Sequence, residues 1–104
     1  MSTLVTGVTP AARGGGTFDV VADGVKLSVE FAREEDLDGK PAWAVCMTFA
    51  DSRNVQRSGT TRREAFDAMR AQYEKSVKNG VPLPTLDLAA LGEVLAARNA
   101  FERA

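Results

Sequence analysis

The first residues with chemical potential are carboxylates that alternate along a short acidic stretch. Glu34, Asp36 and Asp38 stand two residues apart and precede Gly39, which imitates the opening of an EF-hand calcium loop. That loop also needs a bidentate glutamate six residues after the glycine, and this position is Val45. The spacing therefore predicts an acidic, solvated loop between two strands and no metal site.

The residues needed for catalysis are scarce. The chain has no histidine, which removes the commonest general base and the commonest transition-metal ligand. Cys46 is the only cysteine and lies between Val45 and Met47, with no nearby cation or helix start that would activate the thiol, so we expect it to be a buried structural residue. These absences predict a protein that is not an enzyme, uses no cofactor and works by binding.

Two strands with a period of two should hold the acidic loop. The first carries Val25, Leu27, Val29 and Phe31 behind a hairpin signal at Asp23-Gly24, and the second carries Trp43, Val45, Met47 and Phe49. The small residues on the other face of the second strand (Ala42, Ala44, Cys46, Thr48) indicate either a closely covered face or a central strand. Residues 54–58 are expected to add an edge strand.

Two helices should follow the strands. Thr61 and Glu64 have the spacing of a capping box, an apolar stripe runs through Phe66, Met69, Tyr73 and Val77, and Gly80 is suited to the C-terminal cap. After Pro82 and Pro84, Thr85 or Asp87 can cap a second helix with a stripe of Leu88, Leu91, Leu95 and Phe101.

These elements predict an α+β fold, in which an antiparallel sheet of three or four strands is covered by one helix and joined by a C-terminal helix. We expect residues 1–16 to be a flexible, glycine-rich tail, residues 17–84 to form the β-β-β(β)-α domain, and residues 85–104 to form the C-terminal helix. The predicted core consists of Leu27, Phe31, Trp43, Val45, Phe49, Phe66, Met69 and Tyr73. Because the second helix has more apolar surface than a small, already covered sheet can bury, a homo-oligomer is also expected.

The composition sets the class of protein. The 104 residues are 44% hydrophobic and 26% charged, which is typical of one globular domain. No apolar run approaches the roughly 18 residues of a membrane span, and no signal peptide is recognisable. With a single cysteine, this predicts a cytoplasmic protein that makes no membrane contact.

Residues 59–84 resemble a known family. Gly59-Thr60-Thr61-Arg62-Arg63-Glu64-Ala65-Phe66, an amphipathic helix and then Gly80-Val81-Pro82-Leu83-Pro84 are similar to the N-terminal domain of HicB-type antitoxins. The family pattern is roughly G-x-T-x-x-E-A-apolar, a helix and G-x-x-I/L-P. The resemblance implies a small protein that binds and masks another protein.

We therefore expect a non-catalytic, protein-binding regulator or inhibitor, antitoxin-like or encoded by a phage or other mobile element. The predicted partner-binding residues are the acidic loop (Glu34, Glu35, Asp36, Asp38) and the polar face of the first helix (Arg62, Arg63, Arg70). The alternative is a small nucleic-acid-binding domain that lays its sheet on DNA and uses the basic 53–70 segment, with Arg53, Arg57, Arg62, Arg63 and Arg70. A steep dependence of binding on salt would favour nucleic acid.

Overall fold

The computed structural model of the protein describes residues 2–101 and contains five strands and two helices. The strands are β1 (Thr3–Pro10), β2 (Gly16–Ala22), β3 (Val25–Glu35), β4 (Pro41–Phe49) and β5 (Asn54–Gly59). The helices are α1 (Arg62–Lys78) and α2 (Leu88–Ala97). The strands form one antiparallel sheet in the order β1-β2-β3-β4-β5. The predicted α+β class is confirmed, with a sheet one strand wider than expected.

The tight turns between strands contain residues that accept a left-handed backbone conformation. Asp23 and Gly24 have φ values of 51° and 82°, the positive values that a two-residue hairpin turn requires. In the β3–β4 turn, Gly39 has a φ of 74°, and the Asp36 carboxylate accepts the backbone N–H groups of Asp38 and Lys40, both at 2.9 Å. The predicted hairpins are therefore encoded locally.

The expectation of a flexible tail over residues 1–16 is wrong for the part that the structure describes. Thr3–Pro10 forms β1 and pairs along its length with β2. The register shifts between Val5 and Gly7, and such a bulge inserts an extra residue that breaks the period of two. Val5 packs against the core on one side of the bulge, so the apolar positions do not alternate in the sequence. Met1 lies outside the described residues.

Both helices pack on the same face of the sheet. α1 covers β4 and β5, while α2 lies against β1. The eight residues of the predicted core are all buried in one cluster: Leu27, Phe31, Trp43, Val45, Phe49, Phe66, Met69 and Tyr73. Val77, the last position of the predicted α1 stripe, is exposed.

The C-terminal helix is shorter than predicted and its apolar stripe is covered within one chain. The helix ends at Ala97, and Asn99, with a φ of 58°, turns the chain so that Ala100 and Phe101 enter the core. Phe101 packs edge-on against Phe31 and Phe66, with ring centroids 5.8 and 5.2 Å apart. Leu88, Leu91 and Leu95 are also buried. Self-association was expected because the apolar surface of α2 exceeded what a small, already covered sheet could bury. This reason is wrong, because a five-stranded sheet has room for both helices on one face.

Candidate protein-binding surface

The β3–β4 hairpin extends beyond the rest of the sheet. The β2–β3 pairing ends at Gly16 and Phe31, and the β4–β5 pairing ends at Gly59 and Trp43. Beyond these pairs, β3 and β4 continue together to Glu35 and Pro41. The hairpin therefore extends four residues past β2, about 13 Å at the usual rise per residue, and two residues past β5, about 7 Å. The predicted acidic loop is thus the tip of a projecting hairpin.

The tip combines negative charge with one exposed apolar side chain. Glu34, Glu35, Asp36 and Asp38 are all exposed, as predicted for a solvated loop. Leu37, between Asp36 and Asp38, has a relative exposure of 106%, the value of a side chain that touches almost nothing. Asp36 also holds the turn through its two hydrogen bonds to the backbone. A leucine placed at such a point contributes nothing to the core and is available to a partner.

The charges of this hairpin are mixed at its base and mainly negative in its turn. At the base, Glu34 and Glu35 line a surface cleft together with Arg13 and Arg33. In the turn, Lys40 lies opposite Asp36, whose backbone N–H donates to the Lys40 carbonyl oxygen at 2.9 Å. Asp36 and Asp38 outnumber this single cation, so the turn keeps a net negative charge.

Two arginines that the sequence assigned to binding stack on core aromatic rings. The Arg62 guanidinium carbon lies 5.0 Å from the Trp43 ring centroid, and that of Arg33 lies 5.4 Å from the same centroid. Arg63 lies 4.6 Å from the Phe101 centroid. These are cation–π distances, at which the cation is attracted to the ring face.

Arg70 instead pairs with Glu74 one turn along α1, with its Nε 2.9 Å from the carboxylate. The structure thus brings Arg62 to Trp43 at the root of the acidic hairpin, whereas Arg63 and Arg70 contact Phe101 and Glu74. The set of partner-binding residues predicted from the sequence does not form one continuous site.

The uncovered face of the sheet was not predicted from the sequence. Both helices lie on the opposite face, so within residues 2–101 no element packs over the small residues of β4, which had suggested close cover. Thr17, Glu30, Cys46 and Gln56 form one cross-strand row there. Cys46 is half-buried on this face, with its Sγ 3.5 Å from Thr48 Oγ1, and is not the fully buried residue that we expected.

A shallow groove crosses one end of this face. It has a volume of 580 Å³ and is lined by residues that include Asp19, Val21, Lys26, Ser28 and Thr48. Hydroxyl, carboxylate and ammonium groups converge there beside Phe49, without a cluster of like charge. The groove offers hydrogen bonds but no feature that selects one class of ligand.

The charge of the open face does not suit the nucleic-acid alternative. Among the strand residues pointing away from the helices, the charged ones are Asp19, Lys26, Glu30 and Glu34. Arg57 instead donates to Gln72 of α1, and Arg53 pairs with Asp51 in the β4–β5 turn. A sheet laid on DNA would thus present mainly carboxylates to phosphates, which repel each other.

Within residues 2–101, no group of three or more Cys, Asp or Glu side chains is arranged to hold a metal ion. The helices in this range also lack the length and apolar character needed to cross a membrane.

The first half of the motif that resembles the antitoxin family has a structural role. A Cβ on Gly59 would lie 2.6 Å from the Ala65 nitrogen, so only glycine permits this approach of β5 to α1. Thr61 Oγ1 accepts the Glu64 N–H at 3.0 Å, and Glu64 accepts the Thr60 N–H at 3.1 Å. Ala65 and Phe66 are buried. These residues join a strand to a helix.

Comparison with protein-family models, with curated proteins and with solved structures gave no match for this chain. The resemblance of residues 59–84 to HicB-type antitoxins therefore stays a prediction.

Proposed function

We propose that this protein is a small, non-catalytic regulator or inhibitor that binds another protein through the tip of its β3–β4 hairpin. The observation that carries the proposal is the fully exposed Leu37, held among four carboxylates at the end of a hairpin that projects beyond its neighbouring strands. Such an element can enter a cleft that a flat surface cannot reach.

The two kinds of residue at the tip have different roles in this proposal. Burying a leucine side chain in a partner's pocket contributes about 1.5–3 kcal/mol, which slows dissociation. Exposed carboxylates add little to the bound state but speed the encounter with a positive surface. The partner is accordingly a protein with a basic cleft that has an apolar floor.

An antitoxin-like role agrees with this chemistry. The nucleic-acid-binding face of a nuclease is basic, and an acidic hairpin that occupies it would compete with phosphate for the same cations. The resemblance of residues 59–84 points in the same direction, and genes of this kind are often carried by phages or other mobile elements. A neighbouring gene for a small basic protein would supply the first partner to test.

Binding kinetics with that neighbouring protein, or with one captured from a host lysate, test the proposal. Replacing Glu34, Glu35, Asp36 and Asp38 with their amides should slow association and flatten its dependence on salt. Asp36→Asn keeps the side-chain oxygen that holds the turn, so the fold should survive. Leu37→Ala should leave the association rate nearly unchanged and raise the dissociation rate.

Asp67→Asn is the matched control, because it removes an exposed carboxylate from α1 and should change neither rate. If the amide variant associates as fast as the wild type, or if the wild type binds duplex DNA with a steep salt dependence, the proposal is wrong.

A further inference from the structure

The edge strand β1 has an unusual composition for a position that is open to solvent. Its eight residues, Thr-Leu-Val-Thr-Gly-Val-Thr-Pro, include no charged side chain. Within residues 2–101 it pairs with β2 on one side only and forms one end of the sheet. The strand at the other end, β5, is shorter, contains Arg57 and runs directly into α1. Of the two edges, β1 is therefore the one that is open to a further strand.

Soluble proteins usually protect such an edge with charges, short strands, proline or bulges. β1 has the bulge between Val5 and Gly7 and a proline at its last position, which limit how far a partner strand can pair. Charge protection is missing. Leu4 and Val8 have relative exposures of 62% and 47%, so apolar side chains also border the unpaired backbone groups.

The helix beside this edge has few charged residues of its own. α2 lies against β1, and Ala90, Glu93 and Val94 share a groove with Thr3, Asp23 and the capping residue Asp87. Three carboxylates therefore border the small apolar side chains there. On its other side, Gly92 faces Phe66 of α1. Glu93 is the single charged residue within Leu88–Ala97. A helix with so little polar surface is normally covered on more than its core side.

The two ends of α2 carry opposite charges that suit a twofold partner. Asp87 caps the N-terminus and Arg98 follows the C-terminus. They are eleven residues apart, about three turns, and so lie on the same side of the helix. Where two copies of α2 run antiparallel about a twofold axis, Asp87 of each copy faces Arg98 of the other. A second copy of the chain presents these opposite charges in the matching order by symmetry, whereas a different protein would present them only by chance.

We propose that the partner on this surface is a second copy of the same chain, with β1 paired antiparallel to β1 of the other copy and the two α2 helices side by side. The result is a continuous ten-stranded sheet with all four helices on one face. The small side chains Ala90 and Val94 allow the helices to approach within the usual 8–10 Å. This interface is separate from the β3–β4 hairpin and does not depend on the proposed function.

Cys46 allows a direct measurement of this arrangement, since it is the only cysteine and lies on the open face. The spin labels on Cys46 of the two copies would be separated by seven strand spacings across the sheet, or about 34 Å at about 4.8 Å each. Cys46 is level with Thr9 near one end of β1, so an offset along the strands makes this value the minimum distance. Pairing through β5 would place the labels about 14 Å apart, and stacking of the open faces about 10 Å apart. We expect a dimer mass in sedimentation equilibrium of the full chain and a dipolar distance of about 34 Å or more. A monomer at all concentrations, or either short distance, would overturn the proposal.

Two substitutions with matched controls test the residues involved. Leu4→Lys places a cation at the edge of both copies and should shift the equilibrium to monomer, whereas Leu37→Lys, the same change at the hairpin tip, should not. Arg98→Glu sets like charges against each other at both ends of α2 and should raise the dimer dissociation constant at least tenfold, whereas Lys78→Glu should leave it unchanged. Circular dichroism verifies that each variant is folded. A dimer that Leu4→Lys and Arg98→Glu leave intact would show that another surface is used.

Discussion

Trp43 lies where the sheet, the projecting hairpin and the start of α1 meet. It is 7% exposed, and Arg33 and Arg62 are stacked on its ring. Gly14 lies near the edge of the same ring. One side chain therefore fills the end of the core and supports two cations at the root of the hairpin. Its removal should affect both stability and the geometry of the hairpin base.

We predict that Trp43→Ala lowers the free energy of unfolding by about 3–5 kcal/mol, because a large buried ring leaves a cavity. Urea unfolding followed by circular dichroism measures this loss. The exposed Leu37→Ala serves as the control and should change stability by less than about 0.5 kcal/mol. The wild-type emission comes from the only tryptophan and should be blue-shifted and poorly quenched by acrylamide; red-shifted, readily quenched emission would contradict this position of the ring.

Asp51 gives a prediction about pH. Its pKa is lowered, first by the backbone N–H of Arg53 and, less strongly, by the Arg53 guanidinium, while partial desolvation opposes the shift. A carboxyl group whose pKa is lower in the folded than in the unfolded protein stabilises the fold above the unfolded value, and this contribution is lost as the pH falls through the folded value. Acidification should therefore loosen the β4–β5 turn.

The carboxyl ¹³C shift of Asp51, followed by NMR against pH, should titrate below the usual range of aspartate. In Arg53→Gln part of the lowering should remain, because the backbone N–H donor is unchanged. A return of the Asp51 pKa to its ordinary value in that variant would show that the guanidinium, and not the backbone, is the main cause.

At the scale of elements, the junction between β5 and α1 depends on one glycine. A Cβ at position 59 would lie within 3 Å of both Glu64 and Ala65, atoms that belong mostly to the first turn of the helix and cannot move independently. We predict that Gly59→Ala costs about 1–3 kcal/mol, the usual range for overpacking. In the control Gly7→Ala, the new methyl group meets only the Asp19 side chain, at 3.2 Å, and thermal unfolding should show a much smaller change. Equal losses in the two variants would contradict the close approach.

The elements differ in how well the sequence predicted them. β3, β4 and α1 have uninterrupted periods of two or 3.6, and the predicted helix start at Thr61 is confirmed by the cap that precedes Arg62. β1 was not predicted because its bulge shifts the register, so that its core-facing apolar residues do not recur at every second position of the sequence. The predicted end of α2 was wrong because Asn99 adopts a left-handed conformation that ends the helix. The residues around it are ordinary helix formers, so the sequence does not indicate this end.

The candidate site was predicted only in part, for a similar reason. The acidic loop could be located because charge and the turn glycine are local properties. The importance of Leu37 depends on β3 being longer than β2, and the stacking of Arg33 on Trp43 depends on their pairing across two strands. Both are properties of strand length and register, which no short window of sequence contains.

For the whole molecule, the main result is that the sheet has a single covered face. Within residues 2–101 the two helices supply the cover from one side, and the other side keeps polar and small residues in cross-strand rows. Ala44 is buried on that side, although no described element covers it. The molecule presents its hairpin tip, its β1 edge and this flat face as three separate surfaces.

The strand order has a further consequence for how the chain folds. Every strand pairs with its neighbour in sequence, so the sheet requires only short loop closures, which favour rapid formation. The contact between α2 and β1 is different, because it joins segments from opposite ends of the described sequence. Closing so long a loop costs more chain entropy than any hairpin does. Docking of α2 should therefore follow formation of the sheet and α1, which leave only the connection over residues 79–87 to close. Until α2 docks, the apolar side of β1 and β2 is exposed to solvent and prone to aggregation.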